Sequence, residues 1–195
     1  MKLSSACAML FGLLFTDFTN VANAQCPDVH IVFARGSGEM PGFGILGQPL
    51  VSGIAANLPG MSVSAYAVNY RAAYDQTSAG PGATDMTNHV VRQRHRHLDL
   101  KARLGLGKTI PESLAPRIKA IVTFGNPLKL SGLTIKNSSP TYGSKAIEFC
   151  NLGDPVCAAR FNMMGHLMYS RDGSVTNAAR QAAALVRGNT KALRG

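Results

Sequence analysis

Asp154 and His166 are the residues whose types and spacing point most directly to chemistry. The acid lies within Cys150-Asn151-Leu152-Gly153-Asp154-Pro155-Val156-Cys157, between two cysteines that enclose a short loop and are expected to pair. The histidine follows in Gly165-His166-Leu167-Met168-Tyr169. A carboxylate beside an imidazole holds it in one tautomer and stabilises its charged form. The imidazole can then take a proton from a hydroxyl nucleophile and return it to a leaving group. The same residues also fit a blander reading, an aspartate capping a turn and an ordinary half-buried histidine. The disulfide frame favours the pair, because it stiffens the loop that carries the acid.

Strands must position these groups. Val29 to Ala34 is a short apolar run that ends in Arg35-Gly36-Ser37-Gly38, a buried strand meeting a glycine-rich turn. Gly47 to Leu58 has helical spacing and stops at Pro59-Gly60. Ser62 to Tyr70 alternates as a second strand, with Val63, Ala65, Ala67 and Asn69 on one face. Ala72 to Ala83, rich in Gly, Ser and Ala, reads as a loop, and Thr84 or Asp85 could cap a helix running to about Val91. Ile118 to Phe124 and Ala146 to Phe149 are two further strands, the first closed by Gly125-Asn126-Pro127. Thr176 to Arg187 is an amphipathic closing helix, with Ala178, Ala182, Leu185 and Val186 inward and Arg180 and Arg187 outward. Strands alternating with helices imply an α/β fold, a central parallel sheet with helices on both faces. In such sheets functional groups collect past the carboxyl ends of the strands. Here those positions hold Ser37, Gly125-Asn126 and the loop with Asp154.

Several motifs stand in register. Cys26-Pro27-Asp28-Val29-His30-Ile31-Val32-Phe33-Ala34-Arg35-Gly36-Ser37-Gly38-Glu39, then Val68-Asn69-Tyr70, Gly82-Ala83-Thr84-Asp85-Met86, Phe124-Gly125-Asn126-Pro127, Cys150 to Cys157 and Gly165-His166-Leu167 follow one another in order. Together they resemble the cutinase family, over about residues 26 to 91 and 110 to 187. The resemblance implies a small three-layer α/β-hydrolase, a secreted serine esterase that cleaves cutin polyester and shorter acyl esters without metal or cofactor. It implies Asp154 as the acid of a catalytic triad, His166 as its base, and Ser37 as an oxyanion-hole donor through its hydroxyl and backbone. Donors just past a strand can meet a developing oxyanion. Ser37 would otherwise be a simple turn-former.

One part of the pattern is missing. A serine esterase of this fold carries its nucleophile in Gly-x-Ser-x-Gly on a sharp strand-to-helix turn. No serine in the chain has glycine two residues before it and two residues after it, so no nucleophile is found. By the resemblance the elbow belongs between Val91 and Ile110, where the chain instead reads Arg92-Gln93-Arg94-His95-Arg96-His97-Leu98-Asp99-Leu100-Lys101-Ala102-Arg103-Leu104-Gly105-Leu106-Gly107-Lys108-Thr109. The family pattern also has a cysteine near here that pairs with the one matching Cys26, which is left unpaired. A single deletion or reading-frame error accounts for all of this, and the fold is then expected to lack one central strand. The stretch also touches other patterns. His95-x-His97-x-Asp99 has part of a zinc spacing, but Leu100-Lys101 follows where another acid-histidine pair should. Gly107-Lys108-Thr109 ends like a phosphate loop, but a charged run precedes it and Pro111 follows. A solvated basic loop is the plain reading.

The bulk numbers agree with one globular domain. The chain has 195 residues, 46% of them apolar, and a net charge of +10. Lys2, the apolar run Ala6 to Phe15 and Ala22-Asn23-Ala24 form a leader with a small-residue cleavage site, so residues 1–24 are expected to be a signal peptide and 25–195 a single domain. An N-terminal core helix is the alternative. No later run is long enough to cross a membrane, which needs about 20 apolar residues. Removing the leader takes Cys7 away and leaves Cys26, Cys150 and Cys157, an odd number for an exported chain. The cluster of Arg92, Arg94, Arg96, Lys101, Arg103 and Lys108 has no interleaved aromatic residue, so no nucleic-acid partner is expected. The expectation is a secreted monomer with an ester as its partner. The alternatives are a secreted, inactive ester- or lipid-binding protein and a truncated gene product.

Overall fold

A computed structural model describes residues 26–93, 109–158 and 161–188. The leader expected over residues 1–24 lies outside them, as does most of the basic stretch, with His95, His97, Asp99 and Lys108.

The first strand, β1 (Val29–Phe33), runs parallel to β2 (Val63–Ala67), in register from Val29 opposite Val63 to Phe33 opposite Ala67. Parallel neighbours need a crossover, and α1 (Gly44–Ala56) supplies it. α1 begins three residues before the expected start and carries Pro49 inside it. Next comes α2 (Ala79–Arg92), which starts well before the expected Thr84 or Asp85. Pro81 falls in its first turn, where a missing N–H costs nothing. Gly82 lets the helix settle on Tyr70, since a β-carbon there would lie 2.9 Å from that ring. Asp85 is therefore no cap: its carboxylate accepts the Tyr66 hydroxyl at 2.9 Å and the Asn69 N–H at 2.8 Å, tying α2 to the end of β2.

The second half adds β3 (Ile121–Phe124) and β4 (Ala146–Phe149), parallel and in register from Ile121 opposite Ala146 to Phe124 opposite Phe149. Between them lies the short α3 (Ile135–Ser138), capped by Thr134 and Asn137 in a reciprocal pair of bonds. After β4 come α4 (Met163–Leu167) and the closing helix α5 (Ser174–Val186).

The core forms where α1 meets α5. Leu50, Ile54 and Leu58 face Val175, Ala178, Ala179, Ala182, Ala183 and Leu185, with Ile147 of β4 between. Burying each large aliphatic side chain contributes roughly 1.5–3 kcal/mol. Contact is backbone-close, because a β-carbon on Gly53 would sit 2.8 Å from that of Ala179. Both strand pairs lay residues on this core, among them Ile31 and Phe33 from one and Val122 and Phe149 from the other. On the opposite side α2 covers β1 and β2: the His89 ring stacks on Tyr66 at 3.5 Å between centroids. Helices on two faces of parallel strands make three layers.

The sequence predicts a central parallel sheet that lacks one central strand. Among the described residues the strands instead form two separate two-stranded sheets, β1 with β2 and β3 with β4. Every residue of β1, β2 and β3 is only partly buried. A strand enclosed by neighbours on both edges and helices on both faces would be buried throughout.

Candidate active site

β4 delivers the chain into a loop closed by the Cys150–Cys157 disulfide. Inside it the Asp154 side chain is wholly shielded from solvent. Its Oδ1 accepts the Val156 N–H at 2.8 Å and its Oδ2 accepts the Tyr169 hydroxyl at 2.5 Å. Both oxygens lie 3.1 Å from Nδ1 of His166. Burial alone would push this carboxyl up. The hydrogen bonds from Tyr169, Val156 and His166 outweigh it and hold Asp154 below the ordinary carboxylate range. Burial, and then the bond to Asp154, push the Tyr169 hydroxyl far above the ordinary tyrosine range.

His166 stands on α4, whose first turn is capped by the Asn162 side chain accepting from Met164 N–H at 3.1 Å. The helix is pinned to the acid loop twice. Asn162 N–H donates to Gly153 at 3.0 Å, and the Asn151 amide donates to the Gly165 carbonyl at 2.9 Å. Gly165 permits this approach, since a β-carbon there would meet the Asp154 backbone nitrogen at 3.0 Å. The ionised Asp154 can only accept, so Nδ1 carries the proton. In the neutral ring Nε2 then has a free lone pair, which is the state a general base needs. Gly125, at the end of β3, closes the pair from another side: a β-carbon there would lie 3.1 Å from Asp154 Oδ2 and 3.2 Å from His166 Nδ1.

Ser37 is exposed, in the turn after β1. Buried Arg35 organises that turn by donating to the Glu39 carbonyl at 2.9 Å and the Tyr70 carbonyl at 2.5 Å, while the Tyr70 hydroxyl donates back to the Arg35 carbonyl. The Glu39 carboxylate accepts from Gly36 N–H at 2.6 Å and Ile45 N–H at 2.8 Å. The Ser37 hydroxyl accepts from the Gln76 amide at 3.1 Å. Among the described residues no hydrogen bond joins Ser37 to Asp154 or His166, and those of His166 run only to Asp154. Cys26 is an exposed thiol without a disulfide partner among the described residues. There, too, no group of three His, Cys, Asp or Glu side chains converges as metal ligands do. The structure therefore joins Asp154 to His166 and keeps Ser37 on its own turn.

Sequence reasoning missed the supports. Tyr169, Asn151 and Arg35 stand inside the sequence motifs with no role that residue type reveals, and Gly125, though placed past a strand end where functional groups collect, shows no link to the acid and base in sequence. Tyr169 carries one readable signal, since it lies three residues past His166 and so on the same helical face.

Solved structures place the fold. An iodinated complex of acetyl xylan esterase superposes with a TM-score of 0.62 at 18% identity, over 85% of this chain and 100% of that one. Trichoderma reesei cutinase in complex with a C11Y4 phosphonate inhibitor superposes at 0.61 and 20% identity, over 85% and 77%. The architecture is that of an α/β-hydrolase. Sequence narrows this further: residues 25–186 match the family model Cutinase, and the chain belongs to that family. A cutinase of Kineococcus radiotolerans is 42% identical over 186 positions, which cover 84% of this chain and 63% of that protein. The chain thus spans less than two thirds of that relative. The phospholipase Culp4 of Mycobacterium tuberculosis is 33% identical over 210 positions, covering 95% and 92%. Both alignments are longer than the residues this chain puts into them. Against the first, 84% of 195 residues is about 164, leaving about 22 of 186 positions without a residue here. Against the second, 95% is about 185, leaving about 25 of 210.

Proposed function

We propose that this chain is the scaffold of a carboxylic ester hydrolase in which the acid and the base are assembled and the nucleophile segment is absent. The observation that carries the reading is the buried Asp154 held against Nδ1 of His166, with no serine hydrogen-bonded to that histidine among the described residues. In the complete reaction a serine oxygen attacks the ester carbonyl while His166 Nε2 takes its proton. The tetrahedral intermediate expels the alcohol, which leaves with that proton, and water then releases the acid by the same steps. Asp154 stays ionised and steadies the imidazolium. Ser37, on its clamped turn, is the proposed oxyanion donor. The substrates would be cutin polyester and shorter acyl esters.

Three observations support the absence of the segment. Among the described residues the strands fall into two pairs with no ladder between them. The relatives' alignments carry 20-odd positions without a residue here. A strand, turn and helix need about 20 residues at typical lengths. Cys26 has no disulfide partner among the described residues, as expected if its cysteine went with the same segment. We further propose that residues 1–24 are a signal peptide, that 25–195 form one domain, and that the protein is secreted as a monomer. The disulfide suits that compartment, and no described helix is long and apolar enough to cross a membrane.

Hydrolysis of a chromogenic butyrate ester tests the reading, with His166→Ala as the control. Equal background rates for both proteins are expected. Turnover that vanishes in His166→Ala overturns the reading and demands a nucleophile elsewhere.

A second reading, a non-catalytic binder of esters or lipids, has its own observation. The exposed large apolar residues include Leu152, Phe161, Met163, Met164 and Leu167, all in the segments around His166. Such a patch favours an apolar ligand. Saturable binding of a non-hydrolysable long-chain phosphonate without turnover would support it. A coding region that yields Gly-x-Ser-x-Gly when re-read across codons 90 to 110 would identify the chain as a truncated gene product.

A further inference from the structure

We propose that Tyr169 is a positioning residue of the Asp154–His166 pair, its hydroxyl setting the angle at which the carboxylate meets the imidazole. The inference rests on the reading of that pair as an acid and a base. A charge-assisted N–H···O bond normally closes to about 2.7–2.9 Å on one oxygen. Here Nδ1 lies 3.1 Å from each oxygen, evenly shared. The even share has a visible cause. Oδ2 is held by Tyr169 at 2.5 Å and Oδ1 by the Val156 N–H at 2.8 Å. Gripped at both ends, the carboxylate cannot turn to offer one oxygen.

The direction of the Tyr169 bond is forced. Its oxygen already accepts the Asn151 N–H at 3.0 Å, so its one proton is free to go to Asp154. The other neighbour of the hydroxyl is Cys157 Sγ at 3.6 Å, whose thiol hydrogen is spent in the disulfide. A relay results, from Asn151 N–H through the Tyr169 hydroxyl to Asp154 and on to His166. Linked bonds of this kind polarise one another. The residue is 2% exposed, so water does not compete for the hydroxyl. Tyr169 and His166 also ride on one continuous stretch of helix, α4 and the 3-10 turn after it, with their rings edge to face at 6.2 Å. One turn thus supplies both the base and the group that aims its acid.

The test is Tyr169→Phe in the disulfide-intact protein, read by NMR without any substrate. Loss of the hydroxyl frees Oδ2. Asp154 should then bind a proton about tenfold more tightly, seen as a titration about one pH unit higher in its carboxyl carbon signal. The low-field proton of His166 Nδ1–H should move as the shared bond gives way to a single one. A variant that only melts earlier, with both signals where they stand in the parent, overturns the proposal and leaves Tyr169 as packing. Should Tyr169→Phe fail to fold, the parent with 3-fluorotyrosine at its tyrosines gives the opposite perturbation, a more acidic donor of nearly the same shape. Asp154 should then titrate lower, and an unmoved titration overturns the proposal. Neither readout needs turnover. An active parent protein would overturn the preceding reading of function while these signals still decide the role of Tyr169.

Discussion

Gly125 presents a bare α-carbon to His166: a β-carbon built on it would stand 3.2 Å from Nδ1, and 3.1 Å from Oδ2 of Asp154. Its φ of +64° is the left-handed region, which side chains resist. Two costs therefore fall on one methyl group. Gly125→Ala should lose roughly 1–2 kcal/mol from backbone strain alone. It should also push the imidazole off the carboxylate. Urea melts measure the first effect and the His166 Nδ1–H resonance the second. A variant as stable as the parent, with that resonance in place, would contradict the packing described for β3.

Asp154 links the site to acid stability. Its hydrogen bonds hold its folded carboxyl below the ordinary range. A depressed carboxylate stabilises the fold above its unfolded pKa, about 3.9, and that contribution is lost as pH falls through the folded value. Asp154→Asn should be weaker than the parent at pH 7, by roughly 1–3 kcal/mol for the buried partners left poorly matched. Below pH 4 the gap should narrow. Urea midpoints at pH 7, 5 and 3 check this, and a gap that stays constant would show that the acid contributes no linkage.

A second pH effect comes from the opposite face. His30 and His89 meet Nε2 to Nε2 at 2.8 Å beneath α2, with Ser64 on the far nitrogen of His30 and Tyr66 stacked on His89. Burial holds both histidines below the usual value, and for His89 the charges of His30 and Arg92 add to it against the opposing pull of Asp85. Protonation favours the unfolded chain, so stability should fall as pH drops below about 6.5. His89→Phe keeps a ring on Tyr66 and removes one titrating group. Its melting temperature should vary less between pH 7.5 and 5 than the parent's, and an equal slope would place the effect elsewhere.

Reducing the disulfide should loosen the acid. Cys150 and Cys157 are seven residues apart, and closing so short a loop contributes about 2 kcal/mol in the chain-entropy account. Reductant should lower the melting temperature and broaden the Asp154 and His166 signals together. Cys150→Ser with Cys157→Ser should reproduce both changes. A sharp His166 signal in the reduced protein would mean that hydrogen bonds alone hold the loop.

Much of this arrangement is legible in residue order. The strand boundaries of β1 and β4, the inward alanines of α5 and the Asp154–His166 pairing follow from periodicity, turn residues and a cysteine frame. The start of α2 was hidden because Ser78-Ala79-Gly80-Pro81-Gly82 looks like loop on composition. Only contact with Tyr70 shows why Gly82 belongs in a helix. The division of the sheet is a property of pairing between distant segments, which local patterns do not encode. Tyr169 was hidden for another reason: a tyrosine near a turn is ordinary until its hydroxyl is seen against a carboxylate.

Among the described residues, the groups that grip the acid and the histidine lie between Ile121 and Ser174: Gly125, Asn151, Val156, Gly165 and Tyr169. The first half of the molecule contributes no hydrogen bond to the pair among the described residues. The pair is thus held by its own half of the chain. Good geometry at these two residues is therefore silent about whether the chain turns over substrate.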